Sequence, residues 1–325
     1  MKTRFLHCAD IHLGYKQYNS PERGNDFARA FFAVIDAAVA EGVDLVILAG
    51  DLFHKRAIDA LTLNQAVAGL ERLRAANIPC IAIEGNHERS HYEDYLGWMD
   101  FLAIRRLLIL LTPQFVDGKP QLAAYEKRAG SYIDPVPGLR IHGLHYVGSS
   151  SHSAIAAYAD ALAEQASQQA VSGIEYSIFM AHAGVQGVLA EEAGGLSHRE
   201  LSVLKPHVDY LAMGHIHKPF EHEGWIYNPG SPETCSVSEA EWPERGYFLV
   251  TVDTDSTDAV DAEQGHPKHR AHLYANPRRA FIRLRLKVDH LKTPEALYAE
   301  CQQMLVRQAR DNNIRRLPKK KRPVV

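Results

Sequence analysis

The segment MGHIHKP, residues 213–219, sets two histidines one residue apart, behind a glycine and ahead of a proline. In extended backbone successive side chains point to opposite faces, so His215 and His217 look the same way. Two neutral imidazoles converging from one edge are a common way to hold a metal ion; the plain alternative is two unrelated polar residues on a solvated turn. Matching donors elsewhere decide between them. ADIHLG places Asp10 and His12 two apart, AGDLFH places Asp51, EGNHE places Asn86 and His87, and FMAHAG places His182. Each follows an apolar run that reads as a core strand, and binding sites in such sheets collect at strand ends. Gly50, Gly85 and Gly214 permit tight turns there. A single histidine after a strand is more often structural. Five such positions in succession are strong evidence for a site.

The donors are carboxylate, amide and imidazole, with no thiolate. That set suits manganese, iron or catalytic zinc better than a structural zinc or a calcium ion. Seven candidates are too many for one catalytic ion but suit two ions bridged by a carboxylate. Such a pair, about 3.5–4 Å apart, polarises a phosphoryl group and activates water as a nucleophile. No Ser-His-Asp arrangement and no P-loop pattern offers another chemistry.

The elements that must position these residues alternate in the first ninety positions. TRFLHCAD reads as a strand, and 25–41 as a helix with Phe27, Phe31, Ile35 and Ala38 on one face. VDLVILAGD is a near-continuous apolar run, the mark of a strand buried on both faces. A helix over 59–75 carries a stripe of Leu63, Val67, Leu70 and Leu73, and IPCIAIEGN is the third strand. The alternation predicts a sheet covered by helices on both faces. A helix over 95–111 follows, then a Gly/Pro-punctuated region to Gly138. LRIHGLHYV, YSIFMAHAG and DYLAMGH read as further strands, SHSAIAAYADALAEQASQQA as a helix, and GWIYNPGS and GYFLVTVD as antiparallel strands that finish the sheet. The polar loop TDSTDAVDAEQGHPKH marks a boundary region. Beyond it, FIRLRLKV alternates as a strand with Arg283, Arg285 and Lys287 on one face, and an amphipathic helix spans 294–310.

With 325 residues, 46% of them hydrophobic, the chain can bury a large core. Its four cysteines are scattered without a CxxC pair, so neither a disulfide framework nor a thiolate zinc site is indicated, and a reduced cytoplasmic setting is the simple reading. No apolar run is long enough for a membrane span, and the start lacks the features of a signal peptide. The net charge of -3 hides an asymmetry. Residues 278–325 hold 14 of the 36 Lys and Arg but only 4 of the 39 Asp and Glu. An acidic body joined to a basic tail predicts two units, 1–277 and 278–325, with different partners. Of the tail's charges, the three on the strand face would present positive charge to a phosphate backbone from a rigid element, whereas the run 315–322 reads at least as well as a solvated end.

The ordered set D-x-H, G-D, G-N-H-E, H and G-H-x-H resembles that of the calcineurin-like metallophosphoesterases. The wording around it (ADIHLG, GDLFHKRAIDALTLNQA, AHAGVQG, MGHIHKP, NPGSPE) is similar to the family of nuclease subunits of the bacterial SbcCD complex, over residues 5–250. The resemblance implies an α/β fold: a two-sheet sandwich flanked by helices, with a small α+β capping domain at the C-terminus. It implies a manganese-dependent DNA exonuclease and leaves endonuclease action at hairpins open. Asp10, His12, Asp51 and His217 would hold one ion, and Asp51, Asn86, His182 and His215 the other. His87 would protonate the leaving oxygen, and His54 would assist exonuclease action. The implied partners are DNA, a second copy bundled through the helices near 59–75 and 95–111, and an SMC-like ATPase of the SbcC type. The helices that grip that ATPase follow the capping domain in the family and are absent here, so the expectation is a fragment or a shortened form. Glu88, where many relatives have aspartate, is expected to orient His87. A phosphodiesterase for small substrates such as cyclic nucleotides would share the metal core, but His54, the flanking motifs and the basic tail argue against it. A non-catalytic scaffold would show a lost ligand, and none is lost.

Overall fold

A computed structural model of the chain describes residues 1–89, 96–167, 173–188, 195–242, 244–255, 268–318 and 321–324. The strands, in chain order, are β1 Lys2–Cys8, β2 Leu45–Ala49, β3 Cys80–Ile83, β4 Ile109–Leu110, β5 Gln114–Val116, β6 Lys119–Gln121 and β7 Tyr132–Val136. They continue with β8 Leu139–Leu144, β9 Tyr176–His182, β10 Tyr210–Gly214, β11 Phe220–His222, β12 Ile226–Asn228, β13 Gly246–Asp253 and β14 His269–Ala275. The α-helices are α1 Pro21–Ala40, α2 Ala60–Ala75, α3 Trp98–Ile104, α4 Ser151–Ser167, α5 His198–Leu201 and α6 Pro294–Asp311.

Two six-stranded sheets result, ordered β14-β13-β1-β2-β3-β4 and β11-β12-β10-β9-β8-β7. β1 to β4 are parallel, as are β8, β9, β10 and β12. The period of two sorts each central strand between two cores. In β2, Val46 and Leu48 join the cluster under α1 and α2, while Leu45 and Ile47 face the other sheet. In β9, Phe179 and Ala181 pack towards α4, while Ile178 and Met180 meet the first sheet. Each sheet therefore has helices on one face only and its partner sheet on the other. This corrects the single sheet with helices on both faces that the alternation suggested, and agrees with the sandwich that the resemblance implied.

Helix signals were largely local. Asp59 caps α2, its carboxylate accepting from the Thr62 N–H at 2.8 Å. Gly69 lets α2 press against α1: a Cβ there would stand 2.2 Å from a ring carbon of Phe31. Other expectations need correction. The helix expected over 95–111 is α3, which ends where Arg106 turns left-handed (φ 56), and the apolar run after it supplies β4. Its start at 95, the end of the helix expected over SHSAIAAYADALAEQASQQA, and most of the polar loop near 256–267 lie outside the described residues. That loop joins β13 to β14, which pair antiparallel, so the first sheet continues past it. β13 and β14 finish the first sheet, whereas β12 and β11 finish the second. FIRLRLKV forms no ladder strand; it has one bridge, Phe281 to Val324, although its exposure still alternates with Arg283, Arg285 and Lys287 outward.

Candidate metal centre

The parallel strands of both sheets end at one edge, and the candidate donors sit on the turns that follow or, for His182, on the last residue of β9. Four of them hold backbone that L-residues adopt reluctantly: Asp10 (φ 55), His12 (φ 53), Asp51 (φ 56) and His215 (φ 93). Such strain persists only where surroundings over-determine it, and it gathers at functional sites. Here the fixing bonds run between the turns. The Asp10 N–H donates to the Gly50 carbonyl at 3.1 Å and the His12 N–H to the Asp51 carbonyl at 3.0 Å. The His215 N–H donates to the Asp10 carboxylate at 3.1 Å, so the two sheets are tied through the site itself. The glycines act differently from one another. Gly50 turns at φ +89, but Gly85 and Gly214 are needed for close approach: a Cβ would stand 2.0 Å from Asp51 Oδ1 and 2.0 Å from the Ala49 carbonyl, respectively.

All seven candidate donors come together. Asp51 lies centrally, its Oδ2 3.8 Å from His12 Nε2, 3.4 Å from His182 Nε2 and 3.9 Å from His87 Nε2. On one side His12 Nε2 and His217 Nε2 are 2.9 Å apart. On the other, Asn86 Oδ1 is 3.1 Å from His182 Nε2 and 2.9 Å from His215 Nδ1. Asp10, His12, Asp51 and His182 are all 2% exposed or less.

Partners behind the rings decide which nitrogen faces inward. His182 Nδ1 donates to the Ala49 carbonyl at 2.8 Å, and His217 Nδ1 donates to Glu239 Oε1 at 2.8 Å. Each leaves its Nε2 for the centre, as in metal-binding histidines whose outer nitrogen is held. Electrostatics point the same way. Burial would raise Asp51, but the surrounding imidazoles, His182 foremost, outweigh it and hold the carboxyl below its usual range. Burial would lower His182, but Asp51 outweighs it and carries the ring up to about 9. Burial lifts Asp10 to about 6. His215 is pushed down to about 4 by burial and by the neighbouring His182. The donor set fits divalent ions, with Asp10, His12 and Asp51 a compact candidate group.

His87 and His54 stand beside this cluster of donors. The His87 N–H donates to Asp51 Oδ1 at 3.0 Å, and its Nδ1 donates to the His54 carbonyl. Its side chain is about one-third open to solvent. The His54 ring stacks on Tyr15 at 3.7 Å and burial, then His87, lowers it to about 4. Glu88 departs from expectation. Its carboxylate accepts from the backbone N–H groups of Asp51 (2.8 Å) and Gly85 (3.0 Å), bracing two ligand turns instead of orienting the His87 ring. Sequence reasoning also missed Glu239, Cys235, Tyr15 and Tyr146, the last with its ring 5.5 Å from that of His215. Glu239 lies in a short 3-10 turn, Val237–Glu241, and Cys235 just before it, far along the chain, and nothing in their spacing points to His217. Arg283, Arg285 and Lys287 are not part of the cluster; Arg283 pairs with Glu241 on the surface.

The family model for calcineurin-like phosphoesterases matches residues 3–219. The DNA double-strand break repair protein Mre11 of Archaeoglobus fulgidus is 30% identical over 256 residues, which cover 73% of this chain and 52% of that protein. Its namesake in Haloferax volcanii is 31% identical over 261 residues, covering 79% and 51%. The chain thus spans about half the length of these curated relatives. Among solved structures, the calcineurin-like phosphoesterase YfkN from Bacillus subtilis is 15% identical, with a TM-score of 0.46, covering 77% of this chain and 84% of that one. The matched span runs from β1 through the last histidine pair, and on it the chain belongs to the calcineurin-like phosphoesterases.

Proposed function

We propose that this chain is a metal-dependent nuclease that hydrolyses phosphodiester bonds in DNA during repair, recombination and replication, of the kind found in the SbcCD nuclease subunit. The family binds divalent metals, and manganese suits this mixed oxygen and imidazole set. Asp10, His12, Asp51 and His217 would hold one ion, and Asp51, Asn86, His182 and His215 the other. The observation that carries the reading is the central carboxylate of Asp51, flanked by imidazoles on both sides. When bound, two such ions polarise the scissile phosphoryl group and make an attacking water more acidic.

The chain's own residues do the rest. His87 keeps Nδ1 on the His54 carbonyl, so Nε2 is the nitrogen that hands a proton to the leaving oxygen. His54, held neutral, positions: stacked on Tyr15 and lying against His87, it fixes the wall along which an exonuclease substrate would run. Glu88 locks the turns that carry Asp51 and Asn86. DNA would cross from the centre to Arg283, Arg285 and Lys287 on a basic capping unit, 278–325, joined to a nuclease unit, 1–277. The proposed partners are a second copy, through α2 and α3 where Leu61 and Ile104 remain exposed, and an SMC-like ATPase of the SbcC type. No described helix is long and apolar enough to cross a membrane, and the cytoplasm is the proposed location.

Digestion of linear duplex DNA by the purified chain tests this reading. Cleavage should require a divalent ion, favour manganese over magnesium, and stop with EDTA. Full activity in magnesium with manganese rigorously excluded, or turnover of a small diester but not of DNA, overturns it.

A further inference from the structure

The donor set read from sequence contains no thiolate, yet the fold brings one to the centre. Cys235 is 8% exposed, and its Sγ lies within 4.8 Å of the donor nitrogens of both His12 and His217. Its place is built. The Glu239 carboxylate accepts from the Cys235 N–H at 2.9 Å with one oxygen and from His217 Nδ1 at 2.8 Å with the other. The fully buried Arg245 donates to that same carboxylate at 2.8 Å. One clamped glutamate therefore sets both the thiol and the imidazole.

We propose that Cys235, with His12 and His217, makes this end of the centre a His2Cys site for a thiophilic divalent ion such as zinc or cadmium. The inference rests on the reading of His12 and His217 as ligands and adds a donor to it. Thiolate and imidazole together favour soft and borderline ions over manganese. Zinc bonds are about 2.3 Å to sulfur and about 2.0–2.1 Å to nitrogen, which in a tetrahedral site sets the nitrogens about 3.3 Å apart and the sulfur about 3.6 Å from each. The His12–His217 edge, 2.9 Å here, opens slightly to admit the ion, and the two edges to sulfur, within 4.8 Å, are short enough to close on it. On binding, the Sγ–H bond breaks, its proton passes to solvent and an Sγ–metal bond forms; no electron changes hands. Because Asp10 and Asp51 share this end with His12, a zinc ion held by the thiol occupies the position a catalytic ion would use. Zinc then acts as a competitor whose grip depends on Cys235.

Cadmium titration of the metal-stripped chain, followed by ultraviolet thiolate-to-cadmium absorption, tests this. A Cys301→Ser background removes the exposed thiol, leaving Cys235 and the buried Cys8 and Cys80. The expected result is a band that saturates at one cadmium per chain, disappears in Cys235→Ser and Cys235→Ala, and is accompanied by at least roughly tenfold weaker cadmium binding in both. Circular dichroism of the variants checks that they fold, and the band in the Cys235-containing chain stands as evidence independent of them. Manganese counted by electron paramagnetic resonance on the same preparation separates the two readings. Manganese and cadmium both bound, but without the band, overturns the role of Cys235 alone. Neither ion bound overturns the ligand reading beneath it. A band that persists in the folded variants also overturns the proposal.

Discussion

At the strand ends of the two sheets Asp10, His12, Asp51 and His182 are all but sealed from water, whereas α6 in the C-terminal arm buries none of its residues. Both regions carry charge, and they hold it differently. In the centre, backbone strain at Asp10, His12, Asp51 and His215 is fixed by bonds between turns, and the rings of His182 and His217 are each turned by an outer partner. In the arm, Arg285 and Lys287 extend into solvent from a segment with a single bridge. The two regions meet at a rigid joint: Arg279, 5% exposed at its side chain, pairs with Asp26 and Glu22 of α1. Chemistry that must be aimed is over-determined, and charge that needs only to be present is left loose.

The largest expected effect breaks the sealed region at its middle. Asp51→Ala removes the carboxylate shared by both halves and the acceptor for the His87 N–H. Metal binding measured by calorimetry should be lost and nuclease activity should fall to background. Retention of both ions would remove Asp51 from its bridging role. Next comes His87→Asn, which leaves the knot of donors intact. A proton-transfer role is typically worth about 10²–10⁴-fold in rate, so cleavage should fall by that factor while two ions still bind. Loss of metal in place of rate would make His87 a brace for its turn.

A third test sets the buried body against the arm through pH. Burial depresses His7 to about 3, His142 to about 3 and His269 to about 4, all in the sheet core and away from the centre. His7 is held by the Tyr210 hydroxyl at 3.0 Å and the Met213 carbonyl at 3.1 Å. In the unfolded chain these rings take up protons near pH 6.5, and in the folded chain only well below it. The unfolded state thus binds more protons between about pH 6.5 and 3. Their contribution is complete above about pH 6.5, is lost as pH falls through that window, and levels off below the folded values. Denaturant midpoints at pH 7.5 and 5.0 should show clear loss of stability at the lower pH, with a shallower slope in His7→Gln. Equal midpoints would mean that these rings are not held neutral.

The smallest effect belongs to the arm. Replacing Arg283, Arg285 and Lys287 with Ala should weaken duplex binding regardless of sequence. Three phosphate contacts would lower the salt slope by up to about 3 units, but with Arg283 engaged by Glu241 a value nearer 2 is expected. Hydrolysis of a small diester should be unaffected. An unchanged slope would move DNA binding onto the body.

The donors were legible because each closes an apolar run, and strand ends are where an α/β chain can gather distant residues. The helix over 59–75 was legible from its apolar stripe, and the structure adds Asp59 as its cap. β4 was not: Leu107 to Leu111 continue the apolarity of α3, and only the left-handed turn at Arg106 separates them. Glu239 and Cys235 were hidden because their meaning is purely tertiary, arising where a late turn folds under His217. Glu88 was misassigned for a related reason. Adjacency to His87 in sequence suggested a side-chain partner, but the turn directs its carboxylate at backbone N–H groups.

The claim on which the account turns is that one buried cluster holds two divalent ions through Asp51. Counting manganese bound per chain by electron paramagnetic resonance, on the same sample used for DNA cleavage, tests it most directly. The account predicts two ions per folded chain, with cleavage rising as they fill. A folded chain that cleaves DNA with one ion, or with none, would contradict it.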